Sequence, residues 1–397
     1  MNPRLNPYAP GAGTKPPALV GRDEQIEAFD VLLERLENGY AEQSMIITGL
    51  RGVGKTVLLD VFREKAEIRH WATVEWEVEK GASFKPKIAA QVRRALFQLE
   101  IKARWTDRLK RAAAILMSFS LTFNADGSVK VGLDEPLSGV GDSGNLAEDL
   151  SDLFVALGEA AQEKKSGVLF LLDEIQYLQQ PELEALITAL HKATRRSLPI
   201  TLVGAGLPQI PRLAGEAKSY SERLFRFPRI GELNPSTHAR EALILPARKL
   251  SVEYSDSAVD FIVEYTQGYP YFLQEFGKIV WDEASTSPVS LEETRSVKLL
   301  VEAKLDESFF RVRAERTTDL ELRYLYAMAE LGPAAHRASE VAKRLQRTTE
   351  QAGPIRSRLI EKGLLYTPGH GLAAFTVPQF DRYMLRCHGD LRNVSDP

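Results

Sequence analysis

The sequence predicts an α/β fold, in which a parallel β-sheet carries helices on both faces and is followed by a helical lid domain and a C-terminal winged-helix domain. Three observations lead to this prediction. Apolar strand segments alternate with amphipathic helices up to about residue 233, which is typical of a parallel sheet. Strand signals then disappear from about residue 235, where only helices are indicated. A helix–turn–helix pattern followed by two short strands ends the chain, which is the order of a winged helix.

The strongest motif lies at residues 44–56, where a short apolar strand leads into G-x-x-x-x-G-K-T and then an apolar helix. Its glycines permit positive φ and a close approach to a ligand, and the N–H groups at the start of a helix favour an anion. Lys55 supplies a positive charge for the β- and γ-phosphates, and the Thr56 hydroxyl is placed to ligate Mg²⁺. The motif therefore predicts a nucleotide phosphate site made of Gly49, Gly52, Val53, Gly54, Lys55 and Thr56.

A second motif is the apolar run at 168–172 that ends in Asp173 and Glu174. Such a run fits a strand buried on both faces of a parallel sheet, and ligands bind at the carboxyl ends of such strands. Asp173 is then placed to hold Mg²⁺ through water or through Thr56, and Glu174 is placed to polarise an attacking water. Acidic residues that merely end a strand are the alternative, but the phosphate loop upstream favours the catalytic interpretation.

The remaining periodicity predicts the other elements of the first domain. A helix precedes the phosphate-loop strand, and one long helix is predicted at 86–117. A hairpin insertion is predicted near 118–145, with strands at 118–123 and 129–133 around a glycine-containing loop. Further strands are predicted at Ala72–Val78, near a sheet edge, at Pro199–Gly204 and at Leu224–Arg229.

The chain divides into four predicted parts. Residues 1–17 contain five prolines and predict a flexible N-terminal arm, and residues 18–233 form the nucleotide-binding core. The helical lid domain covers 234–310, where Gly268, Tyr269 and Pro270 break one helix from the next. Residues 311–390 make up the winged-helix domain.

Composition restricts the class of protein. A net charge of −3 gives no overall attraction to nucleic acid, so any such contact must be local. The single cysteine, Cys387, fits a reducing compartment, and the longest near-apolar run is too short to cross a bilayer. These features predict a cytoplasmic protein without a membrane contact.

These motifs together resemble those of AAA+/STAND-type P-loop ATPases, close to the archaeal-type and origin-recognition-like ATPases. The resemblance rests on the phosphate loop, the acidic strand end, Val20-Gly21-Arg22, the Gly-Tyr-Pro turn and the terminal winged helix, and covers about 18–388. It implies ATP or ADP with Mg²⁺ as ligands. It also implies that Val20, Gly21 and Arg22 contact adenine and ribose, and that the turn at Pro270 closes the lid over the base.

The same resemblance implies an arginine that reaches a neighbouring subunit's site. Arg223, just before the fifth strand, is the candidate for this catalytic role, and Arg226 is its rival. A solvated arginine with no such role is an equally open interpretation for either.

The chain departs from this family at two positions. Where members carry a polar residue at the end of the fourth strand, this chain has Gly204-Ala205-Gly206, and where many carry a lid arginine, it has Pro270. Both departures favour a slowly hydrolysing switch over a fast motor.

The winged-helix domain has a basic segment. Six basic residues against two acidic ones give residues 343–362 a net charge of +4, which suits phosphate contact. Lys343, Arg356 and Arg358 are the predicted contacts to double-stranded DNA, with Pro354 predicted at the start of the second helix. Arg356 and Arg358 lie about 200° apart around a helix, so both cannot face the bases. A winged helix that binds a protein or packs on the core is the open alternative.

The leading hypothesis is therefore an ATP-dependent switch that repositions its winged helix on DNA or a partner. An oligomeric remodelling motor that uses Arg223 in trans, and a non-catalytic nucleotide-bound adaptor that recruits a protein partner, are the alternatives.

Overall fold

A computed structural model of the chain describes residues 1–11, 13–100, 106–123 and 140–393. Its centre is a parallel five-stranded sheet with the order β2-β3-β4-β1-β5. The strand predicted near an edge is the edge strand β2, so this prediction is confirmed. The strands are β1 (Ser44–Thr48), β2 (Ala72–Glu77), β3 (Val168–Asp173), β4 (Ile200–Gly206) and β5 (Phe225–Arg226).

Helices cover both faces of this sheet because alternate residues of the buried strands point to opposite sides. Ile46 and Phe170 pack into one apolar core, and Ile47 and Leu171 into another. This arrangement confirms the predicted α/β fold. The helices of the first domain are α1 (Asp23–Glu37), α2 (Lys55–Ile68), α3 (Phe84–Glu100), α4 (Asp107–Leu121), α5 (Leu146–Glu163), α6 (Gln180–Thr194), α7 (Ile210–Ala217) and α8 (Ser221–Leu224).

The predicted insertion differs from the structure. The stretch predicted as one helix is two, α3 and α4, and α4 continues to Leu121, so the strand predicted at 118–123 is wrong. Its polar residues did not signal a strand, because Ser118 and Ser120 donate their hydroxyl protons to carbonyls four residues earlier in the helix. The strand predicted at 129–133 lies outside the described residues.

The lid follows the sheet as a set of helices. The predicted break is confirmed: α10 ends at Thr266, Gln267 and Gly268 take positive φ, and Pro270 begins α11. A π-helical turn at Asp306–Arg311 joins the last lid helix to the short α14. The lid helices are α9 (His238–Arg248), α10 (Asp256–Thr266), α11 (Pro270–Glu283), α12 (Leu291–Ser296) and α13 (Lys298–Leu305), and α14 (Val312–Ala314) lies at the start of the next unit.

We call residues 311–390 the C-terminal unit. It places helices against a three-stranded antiparallel sheet with the order β6-β8-β7. Its second helix–turn–helix element, α17, begins at Thr349 with a capping box from Thr348, so Pro354 lies inside the helix and not at its start. Its elements are α15 (Asp319–Glu330), β6 (His336–Arg337), α16 (Ala338–Arg344), α17 (Thr349–Glu361), β7 (Leu365–Tyr366), β8 (Leu372–Phe375) and α18 (Phe380–Cys387).

The N-terminal arm packs against the lid, which corrects the prediction of a flexible segment. Tyr8 is only 4% exposed, and its hydroxyl donates to the Leu243 carbonyl (2.6 Å). The Tyr8 ring packs against Gly277 of α11, where a Cβ would come within 2.7 Å of the ring. The prolines predicted a flexible arm, but the buried side chain of Tyr8 fixes this segment on the lid.

Candidate functional site

The phosphate loop connects β1 to α2, as predicted. Gly52 and Gly54 take φ of +82° and +92°, which residues with a Cβ rarely adopt. A Cβ on Gly49 would come within 2.4 Å of the Ile230 carbonyl oxygen. Within the described residues, the N–H groups of Gly52, Val53 and Gly54 donate to no protein acceptor, so they are available to an anion.

Lys55 lies at the first position of α2 and is 8% exposed. Its Nζ donates to the carbonyl oxygens of Gly49 (3.0 Å) and Leu50 (2.8 Å). Burial lowers the pKa of Lys55 to about 8, while Glu174 and Asp173 oppose this shift and Arg51 adds to it. Phosphate oxygens would replace two neutral acceptors with charged ones, so this ammonium group is suited to an anionic ligand.

Asp173 and Thr56 meet at the carboxyl end of β3. The Thr56 Oγ1 donates to Asp173 Oδ2 at 2.5 Å, and Asp173 Oδ1 accepts from the Glu174 N–H at 2.8 Å. A hydroxyl and a carboxylate beside a phosphate loop match the few protein ligands with which Mg²⁺ is held next to substrate phosphates.

Glu174 follows Asp173 with a positive φ of 52°, which turns its side chain away from the strand direction. Its carboxylate pairs with Arg51 of the phosphate loop at 2.7 Å, and Gln176 donates to its second oxygen. The Arg51 guanidinium also donates to the Tyr177 hydroxyl (3.0 Å). The predicted catalytic carboxylate is therefore held by a cation from the loop itself.

Gln176 stands where the fourth strand lacks a polar residue. Its side-chain oxygen accepts from the Leu207 N–H at 3.1 Å, directly after β4. A Cβ on Gly206 would come within 2.6 Å of this oxygen, so the glycine makes room for Gln176. A polar side chain from the segment after β3 therefore lies beside the end of β4, between Leu207 and Glu174.

The lid contacts the phosphate loop directly. Tyr271 at the start of α11 donates its N–H to the Gly52 carbonyl (3.3 Å), and the Tyr269 hydroxyl donates to the Arg51 carbonyl. Burial raises the pKa of Tyr269, so this hydroxyl stays protonated as a donor. Pro270 lies in the cavity wall beside these two tyrosines.

A cavity of about 410 Å³ lies between the loop, the acidic strand end and the lid. Lys55, Thr56, Asp173 and Glu174 form one side of it, and Pro270 forms part of the other. The N-terminal arm supplies a third wall, which the sequence did not predict; its lining residues are Ala9, Pro10, Gly11, Gly13, Thr14 and Pro16.

The segment at 20–22 contributes less to the cavity than the resemblance implies. Val20 and Arg22 lie in the wall, but Gly21 packs against His238, whose ring a Cβ would meet at 2.8 Å. The Arg22 guanidinium donates to the carbonyls of Val53 (3.1 Å) and Gly231 (2.7 Å). Arg22 therefore fixes the loop to the segment that leads into the lid.

The C-terminal unit also reaches this site. The Arg51 N–H donates to the Thr376 carbonyl (3.2 Å), and Gly363 packs where a Cβ would meet the Arg51 guanidinium at 3.0 Å. Lys80 after β2 pairs with Glu361 of α17 at 3.2 Å. One residue of the phosphate loop, Arg51, thus contacts the core, the lid and the C-terminal unit.

The predicted DNA contacts are separated in the structure. Arg356 turns inward and donates to the Leu372 carbonyl (2.7 Å) and the Thr367 hydroxyl (3.2 Å), so its assignment to DNA is wrong for this arrangement. Arg358 pairs with the buried Glu321 at 3.2 Å. Lys343 is exposed on α16.

Arg223 lies on α8, directly before β5, and its side chain is exposed, as is that of Arg226. Phe225 pairs with Ser44 at the start of β1, whereas the phosphate loop follows the end of β1. Arg223 is therefore at the opposite end of the sheet from its own site, and only a second copy could bring it to a phosphate loop.

A family model described as the AAA ATPase domain matches residues 18–203. This match covers the phosphate loop and the acidic end of β3. Residues 18–203 form an AAA ATPase domain. A second model, described as a domain of unknown function (DUF8462), matches 307–384, and no curated protein matches the chain.

Solved structures resemble the whole chain in fold. A Walker-type ATPase of Pyrococcus abyssi aligns with a TM-score of 0.55 and 14% identity, covering 92% of this chain and 96% of that one. The Orc1 protein of Aeropyrum pernix in complex with DNA aligns at 0.43 and 14%, covering 96% of each chain. The RuvB Holliday junction branch migration motor of Thermotoga maritima aligns at 0.43 and 15%, covering 91% and 96%. The first of these supports the P-loop ATPase fold beyond the AAA ATPase domain.

No helix among the described residues is long and apolar enough to span a bilayer.

Proposed function

We propose that the chain binds ATP with Mg²⁺ at the AAA ATPase domain and hydrolyses it slowly, as a switch between two arrangements of its C-terminal unit. The observation that carries the proposal is the cavity itself, which joins free loop N–H groups, Lys55 and the Thr56–Asp173 pair with a closed lid. Mg²⁺ held by Thr56 and Asp173 would neutralise charge on the phosphates.

The residues of the chain have distinct roles in this proposal. The loop N–H groups and Lys55 bind and orient the phosphates, and Pro270 and the arm exclude water from the cavity. Glu174 accepts the proton of the attacking water. Gln176 and Arg51 hold the carboxylate of Glu174 in place.

Slow hydrolysis is supported by the pair between Arg51 and Glu174. A carboxylate that accepts from Arg51 and Gln176 has fewer lone pairs to offer to water, so it must exchange partners before it acts. The contacts of Arg51 with Tyr269 and Thr376 connect this exchange to the lid and the C-terminal unit.

The output of the switch is proposed to be a protein contact of the C-terminal unit, in the cytoplasm, and not the reading of duplex DNA. Arg356 and Arg358 are occupied within the unit, which leaves Lys343 alone of the three predicted contacts. A mobility shift of duplex DNA that reversal of Lys343 abolishes would contradict this. A homo-oligomer in which Arg223 acts in trans remains compatible with its exposed position.

Calorimetric titration with ATP·Mg²⁺ tests the proposed site. Lys55→Ala removes the ammonium group from the β- and γ-phosphates, so we expect affinity to fall by about 100-fold while the protein stays folded. Lys65→Ala on the outer side of the same helix, where Lys65 pairs with Asp30 at 2.7 Å, is the control and should bind as wild type does. Equal affinity of the folded Lys55 variant would reject the site.

A further inference from the structure

Arg313 lies in the nucleotide cavity although it belongs to the C-terminal unit. It is the middle residue of α14, directly after the π-helical turn at Asp306–Arg311. Such turns are rare and occur frequently at functional sites. The side chain lines the cavity together with Ser308 and Phe309.

The guanidinium of Arg313 is held by neutral groups only. It lies over the Phe309 ring, 4.2 Å from the centroid, and donates to the Phe309 carbonyl. None of the ion pairs formed within the described residues includes Arg313, and the largest charge effect on it comes from another cation, Arg51. Burial, and after it the positive charge of Arg51, lowers the pKa of Arg313 to about 10.

A neighbouring arginine shows the contrast. Arg311 lies two residues earlier, is exposed, and approaches the carboxylates of Glu307 (3.7 Å) and Glu315 (3.6 Å). Carboxylates are therefore within reach of this segment, but they face solvent and not the cavity. Arg51 has an anion beside it in Glu174, but no carboxylate among the described residues pairs with Arg313. The two cations therefore repel each other in one cavity, and burial adds to the cost.

An anion that binds between Arg313 and the phosphate loop would relieve the repulsion between Arg313 and Arg51. Arg51 already has Glu174 as a partner, whereas Arg313 has a carbonyl and a ring. The phosphate loop and Lys55 fix the position of a polyphosphate, and Glu174 marks the side at which its terminal phosphate is attacked. Arg313 lines the same cavity as Arg51 and Glu174.

We propose that Arg313 binds the terminal phosphate of a nucleoside triphosphate, so that the C-terminal unit distinguishes the triphosphate from the diphosphate. The inference rests on the proposed function and gives residues 307–384 a specific role in it. Arg313 is positioned to transmit this contact, because the Lys362 Nζ after α17 donates to the Arg316 carbonyl (2.9 Å) three residues further on. A displacement of Arg313 by the ligand would therefore be transmitted to α17 of the C-terminal unit.

The test compares the affinities of the full-length protein for the β,γ-imido analogue of ATP and for ADP, each with Mg²⁺, by calorimetry. Arg313→Met keeps the length of the side chain and its contact with Phe309 but removes the charge. We expect it to weaken the triphosphate analogue by roughly 10- to 100-fold, the loss of a charge-assisted hydrogen bond, and ADP by less than about threefold. The control Arg311→Met should change neither affinity.

Two outcomes would overturn the inference. An unchanged ratio of the two affinities in Arg313→Met would show that the side chain is structural, and an equal loss for both ligands would place it away from the terminal phosphate. If Arg313→Met does not fold, Arg313→Lys replaces it and should lose several-fold in preference for the triphosphate, because a point charge cannot donate from two nitrogens. Failure of the wild-type protein to bind either nucleotide would reject the proposed function instead.

Discussion

At the scale of single residues, Arg51 connects more parts of the site than the residues that the motif specifies. The pattern G-x-x-x-x-G-K-T fixes its glycines and Lys55 by their contacts with phosphate, but it leaves position 51 open. Arg51 occupies that position, pairs with Glu174, and joins the lid through Tyr269 and the C-terminal unit through Thr376. A residue whose role depends on three distant segments has no local signal in the sequence.

Removal of the Arg51 side chain should therefore raise ATP turnover. Arg51→Ala frees the Glu174 carboxylate for water, and we expect turnover to increase about fivefold, as the release of a half-buried ion pair of roughly 1 kcal/mol implies. Steady-state phosphate release at saturating ATP·Mg²⁺ is the measurement.

The control for this variant is Arg69→Ala, which removes an arginine that pairs with Glu34 and Glu37 at the other end of α2 and should leave turnover unchanged. A fall in turnover in Arg51→Ala would mean that Arg51 assists the reaction and does not restrain it.

At the scale of elements, periodicity predicted the sheet well because its strands are buried in local, continuous runs. β3 and α2 were predicted because their apolar residues form a local pattern, a continuous run in β3 and a helical spacing in α2. Of the two errors, the one at α4 involves local hydroxyl bonds within the helix, and the one at β4 depends on long-range contacts. The end of α4 was predicted as a strand, and β4 extends through its glycines to Gly206 because Ile175 and Gln176 fill the space of their missing side chains.

The candidate site shows the same division. Lys55, Thr56, Asp173 and Glu174 were predicted from short motifs and lie together in one cavity. Gln176 and Arg313 were missed, because each reaches the site from a segment with no motif of its own. For Arg313, the sequence shows only an arginine close to two aromatic residues, Phe309 and Phe310, which does not indicate a place in the site.

The N-terminal arm is the element whose role most needs a stability test. Tyr8→Ala leaves a void between the arm and α11 and removes the bond to the Leu243 carbonyl, so we expect the free energy of unfolding to fall by about 3 kcal/mol. Denaturant unfolding followed by circular dichroism measures it. Tyr40→Ala, at a side chain 62% exposed, is the matched control and should have little effect. Equal stability of the two variants would show that the arm is not anchored by Tyr8.

At the scale of the whole molecule, one apolar core connects the sheet with the lid and the C-terminal unit. Ile47 of β1, Phe276 of the lid and Phe380 of the C-terminal unit belong to it, so a change at the phosphate loop has a packed route to the far end of the chain. At the surface, the exposed pair of Lys80 with Glu361 also joins the core to the C-terminal unit. Exposed pairs contribute little free energy, so ligand binding can change this contact.

The central claim is that ATP, and not ADP, changes the position of the C-terminal unit. Fluorescence transfer between dyes on cysteines introduced at Glu163, the last residue of α5, and Glu350, on α17, in a Cys387→Ser protein measures it directly. We predict that the β,γ-imido analogue of ATP with Mg²⁺ shifts the transfer efficiency, that ADP does not, and that Lys55→Ala abolishes the shift. The same transfer efficiency with the analogue, with ADP and without nucleotide, in a protein that calorimetry shows to bind the analogue, would contradict the account.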